Sequence, residues 1–194
     1  YIVDVTHDVI NGGAQPVQPQ LYTQLVRDGN PPAGESSFYF TFTGPAVYTD
    51  ASKFRKVDFS DIEKGKVDID KSAQDGWVGM VQHYFTSAWL LPPNTPREFR
   101  AAKVSDNLYS IAMVQTLPAL AAGASHKVDA QLYAGPQEEH KLAAIAPGLE
   151  LVKDYGAFTI LAKPLYWLLD RLYQVLHNWG WSIVALVVLL KMAF

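Results

Sequence analysis

Residues able to do chemistry are sparse in this chain and wrongly spaced for the sites they suggest. The acidic stretch from Asp58 to Asp75 comes nearest to a cation loop. In Asp68-Ile69-Asp70-Lys71-Ser72-Ala73, however, an alanine stands where a calcium loop needs glycine, and Gly79 stands where it needs a bidentate glutamate. A solvated loop or an edge strand is the better reading. His140 lies beside Glu138 and Glu139, but no second histidine follows at a helical ligand spacing, so a helix-borne zinc site lacks its parts. Neither a Gly-x-Ser-x-Gly elbow nor a glycine-rich phosphate loop occurs. His83 falls within the aromatic-rich run from Gly76 to Phe85 and reads as structural. The chain has no cysteine, which removes disulfides and thiolate metal sites. No enzyme, catalytic residue, cofactor or metal is therefore expected. One charge stands out by its isolation: Lys191, in an otherwise apolar terminal run.

The elements that must position these residues fall into two environments. Residues 1–157 carry 13 basic against 18 acidic residues, a net of −5, with no Lys/Arg cluster of the kind that neutralises phosphates. Nucleic acid is not expected as a partner on that ground. Residues 158–194 carry only Lys163, Asp170, Arg171 and Lys191 as charged residues. In the first part, β-rich runs alternate with turn chemistry: Tyr1–Ile10 before Asn11-Gly12-Gly13, Phe38–Thr43 before Gly44-Pro45, and further runs at 20–26, 76–91, 107–117 and 127–134. With no helical periodicity between them, they predict an antiparallel β-sandwich rather than an α/β fold. At Gly135-Pro136 the pattern becomes helical, and Pro147-Gly148 ends it.

A helix is expected from Pro164 to His177. Asp170, Arg171, Gln174, His177 and Asn178 share an arc of about 120° on it, and the rest is apolar or aromatic. Trp167 within that arc and Leu168, Leu172 and Leu176 opposite suit a helix lying in the headgroup region of a lipid bilayer. Asn178-Trp179-Gly180 breaks it. Trp181–Leu190 is then a transmembrane candidate flanked by Trp179 and Trp181, too short to span unless it continues beyond Phe194. The expected divisions are 1–134 for part of a β-sandwich domain, 135–157 for a helix and connector, 158–177 for the interfacial helix and 178–194 for the start of a transmembrane helix. The first residues are already strand-like and the last are still apolar, so both ends read as internal to a longer chain.

Three segments together resemble the YidC insertase family: Gly76–Trp89 (GWVGMVQHYFTSAW), Tyr133–Gln137 through Leu142–Leu149 to Asp154-Tyr155-Gly156, and Asn178–Ile183 (NWGWSI). The resemblance implies a periplasmic domain built as a β-super-sandwich, like that of galactose mutarotases, of which this chain would hold the second half. It implies a protein of the bacterial inner membrane with residues 1–157 periplasmic. Such proteins insert and help fold membrane proteins without nucleotide or cofactor, alone or beside the Sec translocon. The implied partners are nascent membrane proteins, Sec components (SecYEG, SecDF) and the lipid bilayer. A basic residue of the first core helix, typically arginine in the family, matches Lys191, which keeps the charge but lacks the bidentate guanidinium fork. A rival reading from the same fold likeness is a membrane-anchored carbohydrate-binding or carbohydrate-active protein, which requires a concave site with a facing carboxylate and histidine.

Overall fold

A computed structural model describes residues 1–32, 42–153 and 159–193. Two compact units are distinguished, Tyr1–Lys153 and Asp154–Phe194.

The first unit is a sandwich of two antiparallel sheets. One has six strands in the order β1 (Ile2–Ile10), β10 (Ser125–Pro136), β7 (Phe85–Leu90), β6 (Trp77–Val81), β3 (Gly44–Thr49) and β4 (Lys53–Lys56). The other has four: β2 (Gln20–Asp28), β9 (Leu108–Thr116), β8 (Arg97–Ser105) and β5 (Ser72–Ala73). Val47, Val78, Met80, Ile111, Met113 and Val128 fill the space between the sheets. The outer face of the six-stranded sheet carries a second apolar layer, where Tyr48, Trp77, Leu90 and Tyr133 meet Leu142 of helix α2 (Glu139–Ile145) and Leu149 and Val152 of the 3-10 turn Leu149–Val152. Strands β3 and β6 are consequently buried along their whole length, without the alternation of a one-sided strand.

The mainly β sandwich followed by helices matches the expected class. Several local readings differ. Most of the expected strand Phe38–Thr43 (residues 38–41) lies outside the described residues; Phe42 and Thr43 belong to no strand, and Gly44 and Pro45, expected as a turn, open β3 instead. Pro45 is tolerated there because a strand's first positions need not all donate to the ladder. The run 76–91 is two strands joined by a turn at 82–84. Pro136 does not start a helix but closes β10, opposite Phe85, and α2 begins at Glu139. The acidic stretch contributes helix α1 (Phe59–Glu63) and the edge strand β5. Within it, the carboxylate of Asp70 accepts hydroxyl hydrogen bonds from Thr49 and Ser52, a structural duty that explains its position.

The second unit is helix α3 (Thr159–Leu176) followed by helix α4 (Trp179–Ala193). Helix α3 starts upstream of the expected Pro164, which lies inside it. Its end is set by His177 in the left-handed region (φ 50), while Asn178 caps α4 by accepting the Trp181 N–H on its side chain at 3.2 Å.

Candidate functional site

Aromatic side chains cluster around the helix break. The Tyr173 ring stacks on Trp179 with centroids 4.1 Å apart and planes 10° from parallel, fastening the end of α3 to the start of α4. Trp167, Trp179 and Trp181 are exposed. The Arg171 guanidinium lies 5.5 Å over the Trp167 ring, and Gln174 donates to Asp170, so the polar arc of α3 is knit by its own side chains. Leu168 and Leu172 are half-buried and Leu176 is exposed; their i, i+4 spacing puts all three on one face. Helix α4 is apolar all round, with Ile183, Val184, Val187, Val188 and Met192 exposed, and Lys191 in its last turn. Lys191 is exposed and stands twelve residues beyond Trp179, so the structure does not bring the expected charge and girdle together. Fifteen residues rise about 22 Å, short of a bilayer's ~30 Å apolar core. Among the described residues no helix is long and apolar enough to cross a membrane.

The sandwich holds a feature that the sequence did not reveal, a cleft of about 750 Å³ on the outer face of the six-stranded sheet. The β1–β10 part of its floor is polar, because those strands pair Asp4 with Gln131 and Thr6 with Asp129, while Trp77 and Leu90 keep the rest apolar. Gln131 donates to Asp4 at 2.7 Å and Thr6 to Asp129 at 2.6 Å. Its walls are the end of α2 with Pro147, and the segments around Asp50, Asp75 and Pro92. The Asp50 N–H donates to the Asp75 carboxylate, and Tyr48 donates its hydroxyl to Asp50. Burial, then the neighbouring Asp50, push the Tyr48 phenol above its ordinary pKa.

Behind the rim lies Arg97, 2% exposed, donating to the backbone carbonyls of Thr95, Gly76, Gln74 and Pro92. Desolvation lowers its pKa and the charge of Asp75 opposes that shift. Its bonds tie the segments before β6 and after β7 into one rim.

This cleft does not suit the carbohydrate reading. Carboxylates line it, but among the described residues no histidine does. Tyr48 and Trp77 line it, but they stack on each other at 5.9 Å and are both buried, which leaves little ring surface for a sugar. Among the described residues, no group of three or more His, Asp or Glu side chains could hold a metal ion.

Comparison with known proteins gives one consistent result. Residues 1–168 match the model of the YidC periplasmic domain family. Over its whole length the chain is 53% identical to the membrane protein insertase YidC of Janthinobacterium sp. (strain Marseille) and 56% identical to that of Cupriavidus necator, covering 34% and 35% of those proteins. The corresponding protein of Laribacter hongkongensis is 50% identical over 203 aligned residues, 37% of its length. The chain thus spans about a third of the curated relatives it matches.

Proposed function

Because the chain belongs to the YidC family, we propose that it supplies a periplasmic β-domain, a membrane-surface helix and the outer part of the first core transmembrane helix of an insertase. The whole protein would insert and help fold inner-membrane proteins, alone or beside SecYEG and SecDF, with residues 1–157 on the periplasmic side of the bacterial inner membrane. No covalent step is part of this function. The observation that carries it is the order of features along the second unit: an amphipathic helix, a two-residue break, a stacked Tyr173–Trp179 pair, and an apolar helix whose one charge is Lys191.

Trp and Tyr favour the membrane–water interface, where an apolar ring and a polar N–H or O–H are both satisfied. With Trp179 at that level, twelve residues at ~1.5 Å each put Lys191 about 18 Å along α4, slightly past the midplane of a ~30 Å core. An ammonium there costs about 2.5–3.5 kcal/mol when it faces lipid, so it belongs on a wet or protein-lined groove. In that position it would attract the acidic or polar part of a client segment entering from the cytoplasmic side. Lysine acts as a point charge, so the attraction would not need two-point carboxylate recognition.

Insertion of a Sec-independent client bearing an acidic residue, in cells depleted of the native insertase and complemented with variants, tests the proposal. Lys191→Arg should retain insertion, and Lys191→Ala and Lys191→Glu should lose it. Normal insertion by both Lys191→Ala and Lys191→Glu would reject the electrostatic role, and leave Lys191 an anchor reaching the cytoplasmic headgroups.

A further inference from the structure

The turn between β6 and β7 presents its aromatic residues outward. Tyr84 and Phe85 are 69% and 57% exposed, and His83 lies edge-on to the Tyr84 ring at 3.9 Å. The turn is held firmly. Gln82 N–H donates to Phe85 O, Gln137 N–H donates to Tyr84 O, and the Gln137 side chain donates to Gln82 O and Phe85 O. Single exposed apolar residues are ordinary on a soluble surface, but two adjacent aromatics fixed outward by four hydrogen bonds cannot fold back to hide themselves.

Their location gives them a partner. Gln137, which braces the turn, is followed two residues later by Glu139, and the Glu139 carboxylate lies 3.7 Å from the ammonium of Lys153. Lys153 is the last residue of the sandwich unit, and α3 begins six residues later. The aromatic turn therefore lies at the same pole of the sandwich as Lys153, its last residue. The opposite pole carries the β3–β4 turn, with Ala51 exposed there.

We propose that Tyr84 and Phe85 form a lipid-contact point on the sandwich, resting in the headgroup layer of the bilayer. The inference rests on the membrane-surface reading of α3. A tyrosine beside a phenylalanine, with a polar histidine behind, matches a layer that is apolar on one side and wet on the other.

The chain has no cysteine, so single-cysteine variants of the full 194-residue chain take a bimane label at one known place. Tyr84→Cys, Phe85→Cys, Leu172→Cys and Ala51→Cys are compared in phosphatidylcholine/phosphatidylglycerol vesicles with lipid brominated either near the headgroup or near the chain end. Labels at 84 and 85 are expected to lose fluorescence to the shallow quencher more than to the deep one, while the label at 51 is unaffected. Quenching at 172 without quenching at 84 and 85 overturns the contact and leaves the α3 reading intact. Quenching at 84 and 85 without quenching at 172 supports the contact and removes the α3 reading. Equal quenching at 51 means adsorption without orientation and overturns the proposal, as does no quenching at any position. Position 84 gives the answer by itself if Phe85→Cys misfolds, since the Tyr84 side chain projects from a turn.

Discussion

Gly76 and Gly148 both adopt left-handed backbone angles (φ 93 and φ 72), and both approach Tyr48, but through different atoms. A Cβ at Gly76 would strike the Tyr48 carbonyl, which belongs to the β3–β6 pairing and cannot move. One at Gly148 would strike the Tyr48 ring, which can yield at the expense of its stack on Trp77. Gly148→Ala is expected to cost about 2–3 kcal/mol and Gly76→Ala more than about 4, enough to prevent folding of a marginally stable domain. Urea denaturation of the two variants ranks them, and the reverse order would contradict this account. Asp70 offers a pH-dependent test. Hydroxyl bonds from Thr49, then Ser52, hold its carboxyl below the ordinary 3.8, against a smaller desolvation effect. A depressed folded pKa gives stability that is present above the unfolded-state value and fades as pH falls through the folded one. Asp70→Asn should therefore unfold earlier in urea than the parent at pH 7, and the gap should close as pH drops below about 4.

Among the elements, α3 makes the sharpest prediction. If Leu168, Leu172 and Leu176 face lipid, Leu172→Asp removes about 1.5–3 kcal/mol of apolar burial, roughly a ten- to hundredfold loss of membrane partition by α3. Flotation of the chain with anionic vesicles measures it, and an unchanged bound fraction would remove the leucine row from the interface. Strands were legible in the sequence where runs of β-formers stand between turn residues: β2 and β10, which alternate between wet and buried faces, β1, and also β9 and the β6–β7 run, whose residues are largely buried. Strand β3 was hidden, because it is covered on both faces, shows no alternation and begins on Gly44-Pro45, residues that usually mark turns. Strand β8 was hidden for another reason, since one of its inward positions is Arg97, whose charge is satisfied by four carbonyls that only the fold assembles. At the candidate site, the tryptophans and Lys191 could be read from the run of residue types. The cleft could not, because register alone brings Asp4 and Asp129 onto one floor across more than a hundred residues of sequence.

At the scale of the molecule, the proposed division of labour places insertion chemistry in the second unit and none in the sandwich. In depletion and complementation, removal of residues 1–134 should be tolerated better than removal of 158–194, and equal loss from both would contradict the division. The layer formed by α2 and the 3-10 turn has a further consequence, for the timing of folding. Strand β1 finds its partner in β10 only after more than a hundred intervening residues have been made, and Trp77 donates its indole N–H to the carbonyl of Pro147 at 3.0 Å. A sheet whose outer aromatic face is closed by the segment just before α3 cannot complete its core until that segment has left the ribosome. Such non-local closure puts it among the slow-folding topologies, on the millisecond-to-second scale or beyond. The half-made sandwich would therefore wait with Tyr48 and Trp77 uncovered, and its final closure would coincide with synthesis of the residues that lead into α3.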